Sequence, residues 1–190
     1  MKKILCFIYD TFADFEITFL CSGIGETDKY KLIYIGYEKS AVKSISGLTV
    51  IPDQTVSEAL ELNDIEGVII PGGIERILKP ELEQLVKKLN KENKLIAAIC
   101  AGPEFLAKMG LLNKVKYTTS EEPKLYEERN EVDPFPRENF VDTRLIRVDN
   151  ILTAKGHAFI DFALEIWNWY DLYEYESERE ETKLLFTSID

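Results

Sequence analysis

The stretch that decides the fold is Lys94–Gly110, KLIAAICAGPEFLAKMG. Leu95 to Ile99 form an unbroken apolar run, as in a strand covered on both faces, and Phe105, Leu106 and Met109 then recur at helical spacing. Gly102 and Pro103 punctuate the change, which places Cys100 at the turn itself.

Outward from this turn the same alternation repeats. KKILCFIY, YKLIYIGY, GVIIPGG, KVKYTTS and TRLIRVDNILTAKG read as strands, the last with a tight turn at Asp149-Asn150. Between them, FADFEITFLCSGI, PELEQLVKKLNKEN, the segment from Pro103 and a last segment from about Ala158 read as helices. KSISGLTVIPDQTV reads as a hairpin, and EEPKLYEERNEVDPFPRENFV as a short helix around Leu125 followed by a loop held by Pro134 and Pro136. The expectation is an α/β fold with a mostly parallel sheet and helices on both faces. Residues 1–190 are expected to make one domain, with 171–190 an extension that is either solvated surface or packing against a neighbouring subunit.

With 45% hydrophobic and 30% charged residues the composition is that of a soluble globular protein, and a net charge of -11 would repel a nucleic-acid backbone. Two lysines precede ILCFIY, but that run is too short for a signal-peptide core and DTFADFE follows it. No segment is long enough to span a bilayer, and the expected location is the cytoplasm. Cys6, Cys21 and Cys100 are an odd number without close spacing, and His157 is the single histidine, so neither a disulfide framework nor a structural metal is expected. Gly23-x-Gly25 follows a helix and lacks a third glycine, which argues against a dinucleotide site. No cofactor is expected.

Ligands of open α/β sheets gather outside the carboxyl ends of the strands, and Cys100 falls at such an end. A helix start and nearby amides would favour its thiolate; the alternative is a small core hydrophobe, the role expected of Cys6 and Cys21. Gly72 and Gly73 follow another strand and, with Ala101, offer N–H groups for an oxyanion, unless they form only a turn. Glu16 shares a helix side with Phe12, Phe19 and Leu20, so it either turns to solvent or enters the site as an acid. His157, after Gly156, reads as a general base or imidazolium partner, or as a histidine bonded to backbone or water at a helix start.

Asp14-Phe15-Glu16, Pro71-Gly72-Gly73, Ala98-Ile99-Cys100-Ala101-Gly102-Pro103 and Thr153-Ala154-Lys155-Gly156 together resemble the ThiJ/PfpI family, also called the DJ-1 superfamily, which is class I glutamine amidotransferase-like. The likeness runs from about Lys2 to Trp169. It implies a flavodoxin-like three-layer α/β/α sandwich with a nucleophile elbow, usually dimeric. It also implies Cys100 as nucleophile, Glu16 as a protonated acid bonded to the sulfur, and Gly73 and Ala101 as oxyanion amides. Two histidines customary in branches of the family are missing: Ala101 stands after the cysteine, and Thr118, Thr119 and Ser120 end the following strand. Proteolysis is therefore not expected.

The functional expectation is a cysteine-dependent small-molecule enzyme, hydrolase- or hydratase-like, with Glu16 or His157 moving protons. The alternatives are a redox-sensing or stress-response protein with an oxidisable Cys100, and a non-catalytic ligand-binding module. A homodimer is expected, with Phe159, Phe162, Ile166 and Tyr170 turned to the core and Trp167 and Tyr175 left for a partner.

Overall fold

The computed structural model describes residues 1–187. In chain order its elements are β1 (Lys2–Phe7), α1 (Phe15–Gly25), β2 (Tyr30–Gly36), β3 (Val42–Lys43), β4 (Thr49–Val50), β5 (Gln54–Thr55), α2 (Val56–Ala59), β6 (Ile65–Ile70), α3 (Pro80–Lys91), β7 (Leu95–Ile99), α4 (Pro103–Lys108), α5 (Pro123–Arg129), β8 (Leu145–Val148), β9 (Ile151–Ala154), α6 (Phe159–Trp169) and α7 (Glu178–Thr187). Seven strands form one sheet in the order β5-β2-β1-β6-β7-β9-β8, parallel except for β8, which runs antiparallel to β9. Helices flank it in the flavodoxin-like manner expected, with α1 and α6 packed against each other and α3 lying on β6 and β7.

β7 sits between β6 and β9, and all five of its residues are buried, which is why its sequence is apolar without alternation. α3 shows the opposite pattern. Leu82, Leu85, Val86 and Leu89 form its buried stripe, Pro80 opens it, and its acidic first turn and basic last turn match the helix dipole. The hairpin read from KSISGLTVIPDQTV is present as the separate pair β3 and β4, after which β5 joins the edge of the main sheet. The turn at Asp149-Asn150 is also present, with Asp149 in the left-handed region at φ 51°.

KVKYTTS is not a strand of the sheet. The place beside β7 is taken by β9, and Tyr117 makes only an isolated bridge to Phe140. The Thr118 N–H donates to the Thr153 hydroxyl at 2.9 Å instead of to a ladder carbonyl. The other correction concerns the C-terminal aromatics. Phe162, Ile166 and Tyr170 are buried as read, but Trp167 is not left for a partner. Its ring lies where a side chain on Gly23 would be, at 2.3 Å from an added Cβ, and its Nε1 donates to the Leu20 carbonyl at 3.0 Å. α7 packs on its own chain, with Phe186 against Phe19 and ion pairs from Arg179 to Glu165 and from Lys183 to Asp161. Tyr175 does remain exposed.

Candidate active site

Cys100 follows β7 with φ at +61°, a conformation that costs a non-glycine residue about 1 kcal/mol or more and persists only where its surroundings hold it. Here they do. The Cys100 N–H donates to the Ala154 carbonyl at 2.8 Å, and its own carbonyl accepts from the Ser120 N–H at 3.0 Å and the Thr119 hydroxyl at 2.7 Å. The backbone is thus pinned between β9 and the 118–122 segment, and of the three cysteines Cys100 alone is not fully buried.

Glu16 lies in the first turn of α1 and is 1% exposed. Its Oε2 accepts from the Gly72 N–H at 2.7 Å, whereas Oε1 is buried with no hydrogen-bond partner of ordinary geometry. That oxygen and the Cys100 sulfur both border Gly156, where an added Cβ would lie 3.2 Å from Oε1 and 2.9 Å from Sγ. Gly72 completes the close approach: a Cβ there would meet the Cys100 Cβ at 2.8 Å and Glu16 Oε2 at 3.0 Å. The carboxyl, the sulfur and two glycines therefore share one small volume, and Oε1 is the atom on which a proton can face the sulfur.

Burial pushes Glu16 up to about 7, against the pull of its hydrogen bonds to Cys100 and Gly72. Burial also pushes the Cys100 thiol up to about 12, with the charge of Glu16 and their mutual hydrogen bond adding to it, and the Ser120 hydroxyl and Ala101 N–H opposing. This corrects the expectation of a thiol lowered by a helix start: α4 has only six residues, and burial dominates. The two groups are better treated as one unit that shares a proton between its first and second ionisations. When the proton sits on Oε1, the repulsion disappears and the acid can donate to a thiolate.

Neither the Gly73 nor the Ala101 N–H donates to a backbone carbonyl among the described residues. The Gly73 N–H is thereby open to a ligand oxygen, as the oxyanion reading requires, while the Ala101 N–H is directed at the Cys100 sulfur. His157 is exposed and lines an adjoining cavity of about 590 Å³ together with Thr119, Ser120, Arg137, Asp142 and Lys155. It makes no side-chain hydrogen bond to Cys100 or Glu16.

The overlooked residue is Ser120. Its hydroxyl accepts the Gly156 N–H at 3.0 Å and faces the Cys100 sulfur, leaving its own proton available to that sulfur. The available signal was the run Thr118-Thr119-Ser120 itself, three hydroxyls where a histidine would have been more usual.

A left-handed cysteine between strand and helix, a buried acid against its sulfur and paired glycines on the neighbouring strand end fall within residues 2–168, the part of the chain matched by the sequence profile of the DJ-1/PfpI family. The chain belongs to the DJ-1/PfpI family. It is 31% identical to the uncharacterized protease YdeA of Bacillus subtilis (strain 168), over 85% of this chain and 80% of that one. It is 27% identical to the uncharacterized protease YoaZ of the same organism, over 96% and 90%. Its structure is similar to that of the DJ-1 superfamily protein Atu0886 from Agrobacterium tumefaciens, with a TM-score of 0.81, 28% identity and 97% of each chain covered. Among other DJ-1/PfpI relatives are a Caenorhabditis elegans protein named glutathione-independent glyoxalase DJR-1.2 and a Pyrococcus furiosus protein named deglycase PfpI, 27% and 28% identical.

Proposed function

We propose that this chain is a cysteine-dependent enzyme that acts on an electrophilic carbonyl carbon of a small molecule, by hydrolysis or hydration. The observation that carries the reading is the enclosure of a nucleophilic sulfur and a buried acid of raised pKa in one small volume beside the Gly72 and Ala101 backbone. The Cys100 thiolate adds to the carbonyl carbon, a C–S bond forms, and the π pair moves to oxygen between the Gly73 and Ala101 N–H groups. The Glu16 proton passes to the leaving group or to that oxygen. The Glu16 carboxylate then takes a proton from the water that releases the adduct. Two relatives named for glyoxalase and deglycase activity support a carbonyl substrate. The protease names of two others sit less well with this site, where Ala101 follows the nucleophile.

His157 and its cavity adjoin the sulfur on the Ser120 side and, in this reading, contact the substrate rather than the thiol. The working form is a homodimer, as the family resemblance implies. A redox role is the second reading, favoured by the partial exposure of Cys100 alone among the cysteines.

A turnover screen over small aldehydes, esters and amides, with Cys100→Ser as control, tests the proposal. At least one class is expected to be consumed, at a rate that falls by about 100-fold or more in the variant. Absence of turnover, combined with one or two oxygens added at Cys100 by stoichiometric peroxide in intact mass, would select the redox reading instead.

A further inference from the structure

We infer that Arg76 is a positioning residue for the oxyanion side of the site, locking the loop that carries Gly73 to the elbow helix and to the 118–122 segment. The inference rests on the reading of Gly73 and Ala101 as oxyanion donors.

Arg76 is 9% exposed, and its guanidinium reaches three separate pieces of chain. Nε donates to Glu104 Oε2 at 2.8 Å, and Nη2 lies 2.7 Å from the same oxygen, which anchors the loop to the first turn of α4. Nη2 also donates to Glu121 Oε2 at 3.0 Å, in the segment whose Thr119 and Ser120 hold the Cys100 carbonyl. Nη1 donates to the Gly73 carbonyl, two bonds from the amide in question.

The opposite face of that loop is held as well. The Gly72 carbonyl accepts from the Ala13 N–H at 2.9 Å, and the Ile74 N–H donates to the Thr11 hydroxyl at 3.2 Å. Both peptide planes flanking Gly73 are therefore fixed, the first by Ala13 and the second by Thr11 and Arg76. The Gly73 N–H is the group left over.

Charge is balanced within the cluster. Lys108 pairs with Glu104 Oε1 at 2.6 Å and donates to the Arg76 carbonyl at 3.0 Å, and the Tyr126 hydroxyl donates to Glu104 Oε2 at 2.7 Å. Two cations thus face two carboxylates, the residues being 28 and 45 positions from Arg76 in Glu104 and Glu121. A planar fork with five donors can satisfy acceptors in three directions, which a lysine ammonium on a single stem cannot do with fixed geometry.

The test compares two reactions of Cys100 that differ in their need for an oxyanion site. In acylation by p-nitrophenyl acetate, the thiolate adds to the ester carbonyl, negative charge develops on oxygen, and p-nitrophenolate leaves with its bonding pair to give a thioester. In alkylation by iodoacetamide, the C–S bond forms as iodide leaves and no oxyanion develops. Arg76→Lys is expected to slow acylation by about tenfold or more while alkylation stays within about twofold of wild type. A loss of structure would move both rates together. Glu104→Gln, which keeps the shape of the anchor and removes its charge, carries the same expectation should Arg76→Lys not fold. An unchanged ratio of the two rates in a folded variant overturns the inference. If the wild-type protein acylates no faster, relative to alkylation, than a free thiol does, the oxyanion reading itself falls and takes this inference with it.

Discussion

Glu16→Gln is expected to stabilise the folded protein by about 3 kcal/mol at pH 8 and to do almost nothing at pH 4, where both side chains are neutral. The folded-state value of about 7 stands above the ordinary 4.5, so the unfolded chain releases this proton first as pH rises. Stability contributed by the protonated, buried carboxyl is complete below about pH 4.5 and is lost as pH climbs through 7. The difference of about 2.5 pH units corresponds to about 3 kcal/mol, and the group is too deeply buried for solvent to screen it. Glutamine can still accept from the Gly72 N–H and present a donor to the sulfur, so the hydrogen-bond pattern survives while the charge does not. For a chain of this length the gain is on the order of 6–12 °C in melting temperature. Melting curves of both proteins at pH 4, 6 and 8 check it; a constant offset across the series would mean that Glu16 is not the buried acid described.

Gly102→Ala is expected to destabilise by about 3 kcal/mol, at the upper end for overpacking, even though its backbone is helical and any residue could adopt it. The obstacle is space. An added Cβ would lie 2.5 Å from the Ile70 carbonyl, 2.8 Å from that of Ile99 and 2.9 Å from that of Pro71. No flexible side chain is available to give way, so the end of β6 and the elbow must part. That same separation would draw Gly72 away from Cys100 and Glu16. Gly25→Ala, with nothing within 4 Å of the added Cβ, is the control and should be neutral or mildly stabilising in thermal denaturation.

How far the molecule could be read from its sequence follows the range of the interactions involved. The elbow is local: an apolar pentapeptide, a cysteine and Gly102-Pro103 are contiguous, and β7 and α4 form where that pattern places them. Glu16 was legible as an anomaly, an acid among Phe12, Phe19 and Leu20, because helical periodicity exposes a charged group on an apolar side. Its partner on the second oxygen was not legible, since Gly72 lies 56 residues away. KVKYTTS has the β-branched content of a strand, but strand identity depends on a free place beside another strand, and β9 holds that place. Ser120 acts through Gly156 and the Cys100 backbone, contacts that tertiary structure alone creates. Trp167 shows the same limit: helical spacing excludes it from the core stripe, and its seat is made by the absence of a side chain at Gly23.

The central claim is that Glu16 and Cys100 share one proton, so that the thiol becomes reactive as the pair first ionises. The measurement that tests it most directly is the pH dependence of Cys100 alkylation by iodoacetamide, in the wild-type protein and in Glu16→Gln, with Cys100→Ser to identify the labelled sulfur. The wild-type rate is predicted to rise with a midpoint near 7 and then level off, following the ionisation assigned to the buried acid. In Glu16→Gln that step should vanish, leaving only a burial-raised thiol, and the rate at pH 7.5 should fall by about tenfold or more. A wild-type midpoint near the ordinary thiol value of about 8.5, unmoved by the substitution, would contradict the account.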